Sequence, residues 1–222
     1  MSHDFPDEGR HPVAPVARVV LVHGLWMNSM SMLPMHWHLS REGFRVARFG
    51  YASVRHAPAQ SAERLARYIA ALPDELIYLV GHSMGGVMIL QMINKWTDSR
   101  IRRAVLLGSP VAGSRAGRDV ARSVGGRWVL GHSLALWAEG ITPQAPSGVE
   151  VGVIAGDIPL GLGRIFLRLE KPNDGVVAVE ETRIEGAADT LVMRVNHSGM
   201  ILSASVARQV CSFLKEGEFA RA

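Results

Sequence analysis

The stretch VGHSMGGVM, Val80 to Met88, sets Ser83 between Gly81 and Gly85 in the spacing G-x-S-x-G. A serine hydroxyl is a poor nucleophile at neutral pH, so covalent chemistry there needs a base, and the base needs an acid to orient it. The spacing alone is weak, because a glycine-rich chain can produce it by chance. Its setting carries more: LIYLV reads as a strand just before it and GGVMILQMINKW as a helix just after. A serine forced into an unfavourable backbone conformation at such a turn needs neighbours without bulk two positions away. The helix that follows aims its free N–H groups and positive dipole end at the place where an oxyanion would form.

Of the nine histidines, His197 is the candidate base. It follows the apolar run DTLVMRVN in the loop NHSGM, which places it at the carboxyl edge of a parallel sheet, as Ser83 is. His82 adjoins Ser83, and its side chain is expected to point elsewhere. The favoured acid is Asp174, in the turn-forming loop PNDGVV; Asp157, directly after VEVGVIAG, is the rival. For each, the plain alternative is a turn carboxylate. A first oxyanion donor is the N–H of Met84, and the second is expected after the first strand, in HGLW, where Gly24 lets the chain turn and offers the N–H of Leu25. Loss of one such donor typically costs about 3 kcal/mol of transition-state stabilisation.

The segment LWMNSMSMLPM is methionine-rich, and Leu25, Trp26, Met27 and Met30 are candidates for the wall of an acyl pocket. Met88 and Met92 fall at helical core spacing and are read as packing. Other motifs carry less. LGHSLAL repeats part of the elbow at Ser133, but Ala135 replaces the second glycine, so Ser133 reads as a helix cap. GSPVAGSR lacks the lysine of a phosphate loop. His36 and His38 lie two apart, which on a helix is not one face, so no metal site is expected.

The elements that must position these residues follow from periodicity. Short apolar runs read as strands at RVVLVHG, FRVARFGY, LIYLVG, IRRAVLLG, VEVGVIAG and DTLVMRVN. Between and after them, MLPMHWHLSREG, Ser61 to Leu72, GGVMILQMINKW and ILSASVARQVCSFL read as helices. Strands alternating with helices imply an α/β fold: a doubly wound, mostly parallel sheet with helices on both faces. Residues 1–15 read as a flexible arm. Residues 114–147 break the rhythm and read as a short cap or loop insertion, too small for a core of its own.

With 222 residues, 48% hydrophobic and 20% charged, the chain suits one globular domain. The net charge of +4 and pI near 9.7 arise from scattered basic residues, so nucleic acid is not an expected partner. Arg115, Arg118 and Arg122 form the densest basic group and read as a solvated helix face, with attraction to an anionic surface as the alternative. No run of about 18 apolar residues is present to span a bilayer, so no stable membrane insertion is expected, although transient contact with a lipid surface is compatible. The single cysteine, Cys211, can form no intrachain disulfide and reads as a core residue. The N-terminus lacks the order of a secretion signal, and the cytoplasm is the expected compartment.

The ordered set LVHGLW, GHSMGG, LGSPVAGS, NDGVV and NHSGM resembles the α/β-hydrolase superfamily, in particular its small bacterial lipase and esterase branch. The resemblance implies a minimal version of that fold, without the leading antiparallel strands of larger relatives. It implies Ser83 as nucleophile, Asp174 as acid, His197 as base, and the amides of Leu25 and Met84 as oxyanion hole. The implied activity is hydrolysis of a small-molecule carboxylic ester, without metal or organic cofactor. Thioester hydrolysis or acyl transfer on the same residues, and a catalytically silent ligand-binding module, are the alternatives.

Overall fold

A computed structural model describes residues 16–114, 144–160 and 169–221. Six strands form one sheet: β1 (Arg18–Val22), β2 (Arg45–Phe49), β3 (Ile77–His82), β4 (Ile101–Leu107), β5 (Glu150–Gly156) and β6 (Asp189–Met193). Every pairing is parallel, in the order β2-β1-β3-β4-β5-β6. The four inner strands are rich in apolar residues because both of their faces are covered, whereas the edge strands β2 and β6 are only partly buried. Their alternation feeds two separate cores. Val20, Val22, Ile77 and Leu79 pack against α2 (Pro58–Ala70) and α3 (Met84–Lys95). Val19, Leu21, Tyr78 and Val80 point the other way, to α1 (Leu33–Arg41) and α4 (Ala204–Glu216).

The expected doubly wound α/β architecture is therefore present, and the sheet is wholly parallel among the described residues. Its connectivity reverses once: the chain runs from β1 outward to β2, then returns past β1 to β3. Loops leaving the carboxyl ends of β1 and β3 thus diverge to opposite faces, which opens a crevice between them. The loops carrying Gly24 and Ser83 lie at this switch point.

Several boundaries differ from the periodicity. Helix α2 begins at Pro58 instead of Ser61, because proline suits the first helical position and Gln60 Oε1 reaches back to accept from the Ala57 N–H (3.3 Å). The run before α1 opens with a 3-10 turn, Ser29–Met32, capped by Asn28 Oδ1, which accepts from the Met30 N–H at 2.9 Å. The terminal helix starts only at Ala204, capped by Ser203 Oγ; the residues before it form another 3-10 turn, Ser198–Ile201, immediately after His197. Helix α4 ends at Gly217, whose φ of 87° is the left-handed conformation that closes many helices.

At the amino edge of the sheet, the buried Asp74 carboxylate lies 3.0 Å from Arg18 Nε and 3.2 Å from an Arg45 guanidinium nitrogen. Cys211 is buried in the second core, and burial pushes its thiol pKa up to about 11. No helix among the described residues is long and apolar enough to cross a membrane. The expected arm at 1–15, nearly all of the expected cap, the basic group Arg115, Arg118 and Arg122, and Ser133 lie outside the described residues.

Candidate active site

Ser83 occupies the single residue between β3 and α3, with φ 54° and ψ −125°. A non-glycine residue pays about 1–3 kcal/mol for such a conformation, which persists only where surroundings enforce it. They do so here by close packing. A Cβ on Gly81 would sit 2.5 Å from the backbone of Gly86, and one on Gly85 would collide with the backbone carbonyls of Val22 and His23. The Ser83 N–H donates to Leu107 O at 2.9 Å, and its own carbonyl accepts from Gly86 N at 3.0 Å as the first turn of α3. Met84 is the first residue of that helix and is buried.

Asp174 and His197 come together at the far end of the same sheet edge. His197 Nδ1 lies 2.7 Å from Asp174 Oδ2, and the His197 N–H donates to the Asp174 carbonyl at 3.0 Å. The other carboxylate oxygen, Oδ1, accepts from Val176 N (2.9 Å) and Val177 N (2.7 Å). The acid is thus buried yet satisfied at both oxygens, and both residues are at least nine-tenths buried. With Nδ1 engaged, Nε2 is the ring atom left to meet a substrate or a hydroxyl. Gly108, at the end of β4 with φ 53°, makes room for the pair: a Cβ there would stand 3.0 Å from Asp174 Oδ2 and 3.2 Å from His197 Nδ1. The rival acid, Asp157, has its N–H tied to Met193 O at 3.1 Å, and its buried Oδ1 meets no hydrogen-bond partner among the described residues.

The loop after β1 reaches this place from the other side of the switch point. A Cβ on Gly24 would lie 3.1 Å from Ser83 Cβ, so the backbone of the loop is in contact with the serine. His23 is buried; its Nδ1 donates to Gly24 O at 2.9 Å, its carbonyl accepts from Tyr51 Oη at 2.8 Å, and the two rings stack at 4.4 Å. Trp26, with φ 57°, donates its N–H to the buried Ser53 Oγ at 3.1 Å. Tyr51 and Ser53 lie beyond the end of β2, so the segment after that strand buttresses the loop.

The residues expected at a pocket wall differ in their surroundings. Leu25 is partly buried against the first core and Met27 against the second, whereas Trp26 and Met30 are 62% and 58% exposed. A cavity of about 540 Å³, lined among others by Ala62, Gln91, Asn94 and Trp96, belongs to the far half of α3. At 1.5 Å of rise per residue, Gln91 stands roughly 12 Å along the helix from Ser83. No group of three or more metal-ligating side chains occurs among the described residues.

Sequence reasoning expected the His82 side chain to point away from Ser83 and assigned it no role. Its ring is buried, and its Nε2 stands 3.0 Å from the backbone carbonyl of His197, with the two ring centroids 4.7 Å apart. A carbonyl can only accept, so Nε2 carries the proton and the ring is a neutral donor. Burial pulls its pKa down to about 3, reinforced by the neighbouring His197 and His23 and partly opposed by the bond to the His197 carbonyl. Only the recurrence of histidine at strand ends, His23 and His82, hinted at it in the sequence.

A model of the alpha/beta hydrolase family matches residues 19–193. Among solved structures, the metagenomic carboxyl esterase MGS0156 superposes with a TM-score of 0.62 at 21% identity, over 83% of this chain and 65% of that one. The chain therefore spans about 65% of that esterase's length. The mature Bacillus licheniformis lipase BlEst2 gives 0.65 at 17% identity over 96% of each chain, and a hydrolase from Pseudomonas aeruginosa gives 0.65 at 16% over 91% of each. No curated protein matches the sequence. The family model covers most of the chain and the wholly parallel sheet carries the same fold: the protein belongs to the alpha/beta hydrolase family.

Proposed function

We propose that the protein is a serine hydrolase of small-molecule carboxylic esters. The observation that carries this reading is the buried Asp174–His197 pair at 2.7 Å, on the sheet edge where Ser83 is held in a left-handed turn. The esterase and lipase among the solved structures of like fold support it.

In this reaction Ser83 Oγ attacks the acyl carbon as its proton passes to His197 Nε2. The negative charge that gathers on the carbonyl oxygen is met by the N–H groups of Leu25 and Met84. Asp174 holds the imidazole in the Nδ1–H tautomer and stabilises the imidazolium. Collapse breaks the ester C–O bond, and His197 returns the proton to the departing alcohol. Water then adds to the acyl-enzyme by the same route, releasing the acid and restoring the serine. No step uses a metal or an organic cofactor. Trp26, Met27 and Met30 are proposed to contact the acyl chain, and the substrate meets the enzyme from water or in passing contact with a lipid surface. The cytoplasm is the proposed compartment; a buried free thiol such as Cys211 suits a reducing one.

A panel of p-nitrophenyl esters from acetate to palmitate, with a thioester alongside, tests the activity. Turnover of at least one ester is expected, together with its loss in Ser83→Ala and labelling of the wild type by a fluorophosphonate. A folded wild-type protein that neither labels nor turns over any member would overturn the reading in favour of a ligand-binding module. Faster turnover of the thioester would assign the chain to thioester hydrolysis.

A further inference from the structure

We infer that His82 is a positioning residue that sets the distance between nucleophile and base, by donating its Nε2–H to the backbone carbonyl of His197. The inference rests on the function proposed above and goes beyond it, since that mechanism uses Ser83, Asp174 and His197 alone.

The hydrogen bonds around His197 divide by origin. Its N–H and its Nδ1 are both held by Asp174, from the loop after β5. Its carbonyl is held by His82, the last residue of β3 and the neighbour of Ser83. The first two fix the base relative to its acid and say nothing about the serine. The third spans 115 residues of sequence and ties the base to the strand that ends in the nucleophile. Ring contact at 4.7 Å adds a packed surface to the same link.

The chemistry of the site suits a neutral imidazole. The acceptor is a buried carbonyl at the start of the 3-10 turn Ser198–Ile201, where an unpaired oxygen would be costly. An imidazolium would bring a positive charge beside the ring that must itself become positive in the reaction; burial of His82 keeps it uncharged. The Nδ1 of His82 is buried without a hydrogen-bond partner among the described residues and faces the Gly24 backbone, at 3.3 Å from where a Cβ would stand there. That side of the ring is therefore closed by the oxyanion loop, which leaves Nε2 as the donor.

Three full-length variants test this with p-nitrophenyl butyrate. His82→Phe keeps a ring and removes the donor; a fall of about 10- to 100-fold in kcat with KM within about twofold is expected, the scale on which misplacement of a reacting group is felt. His82→Gln can offer a nitrogen donor in place of Nε2 and is expected to recover kcat to within about threefold of wild type, a rescue on the same scale. Ser83→Ala is the reference for the reaction itself. Wild-type turnover that Ser83→Ala abolishes and His82→Phe leaves intact overturns the positioning role and spares the serine mechanism. Equal loss in His82→Phe and His82→Gln, both folded, also overturns it, because the donor would then not matter. Should His82→Phe not fold, imidazole 15N spectra of the wild type decide: a His82 ring in the Nε2–H tautomer supports the inference, and an Nδ1–H ring overturns it.

Discussion

Asp174 grips His197 twice, once through its own carbonyl, which receives the His197 N–H at 3.0 Å, and once through Oδ2, which meets the ring at 2.7 Å. The same carboxylate takes two backbone N–H groups on Oδ1, so its orientation is fixed before any substrate arrives. Acid and base therefore move as one unit.

Replacing Asp174 by Asn should separate chemistry from folding. Asn retains an oxygen for Val176 and Val177 but turns an NH2 toward His197 Nδ1, which forces the ring into the tautomer that cannot accept the serine proton. A fall in kcat on the order of 10⁴ is expected, with little change in melting temperature. Asp157→Asn should stay within about twofold of wild type, well below the scale of a lost triad member. Steady-state kinetics on p-nitrophenyl butyrate checks both, and comparable loss in Asp157→Asn would move the acid to that residue.

Ser83 stores backbone strain, and glycine at that position should release it. Ser83→Gly is expected to be more stable than Ser83→Ala by about 1 kcal/mol, the net of relieved strain and the greater entropy of an unfolded glycine. Both should be inactive. Urea unfolding of the pair measures the difference, and a Ser83→Gly midpoint below that of Ser83→Ala by the full entropic cost of glycine would show that the turn carries no strain.

Acid should unfold the protein through its buried imidazoles. His82 is lowered to about 3 and His23 is also lowered, each chiefly by burial, so the native state binds fewer protons than the unfolded chain below the ordinary histidine value of 6.5. The stability conferred by the neutral His82 ring is complete above pH 6.5 and is lost as pH falls toward 3, at up to about 1.4 kcal/mol per pH unit, and His23 acts in the same direction. Urea midpoints measured from pH 7 to pH 4 should therefore drop more steeply in wild type than in His82→Gln. Parallel curves would remove His82 as a source of the acid sensitivity.

Asp74 is a structural acid at the opposite end of the sheet. Asp74→Ala leaves the largely buried Arg18 without its partner and is expected to cost about 3 kcal/mol of stability, while kcat at 25 °C stays unchanged. Denaturant titration and kinetics on one sample distinguish this from a change at the reaction site.

The fold was legible because strands of a parallel sheet are largely apolar runs, and five of the six described strands fall inside the expected runs, as Ile101–Leu107 and Glu150–Gly156 do, while Ile77–His82 extends one residue past LIYLVG. The positions of Ser83 and His197 were legible for the same reason: the serine turn and the histidine loop each follow the end of a strand. Helix starts were less so. Pro58 and Ser61 both carry start signals, and the proline prevails because Gln60 caps the chain behind it. Contacts between distant segments left no local trace. Nothing in GHSMGG says that His82 will find a carbonyl in NHSGM, since the meeting depends on β3 and the loop after β6 converging at one edge. The Tyr51 and Ser53 supports of the β1 loop were hidden likewise.

The parts of the proposed reaction centre come from separated stretches of polymer, the serine from the strand at 77–82 and its base from beyond the strand at 189–193. During synthesis the hydroxyl emerges from the ribosome long before the imidazole of His197 exists. On the proposed mechanism a stalled or clipped polypeptide lacking the final segment would be chemically mute, and ester cleavage would certify that translation ran through His197.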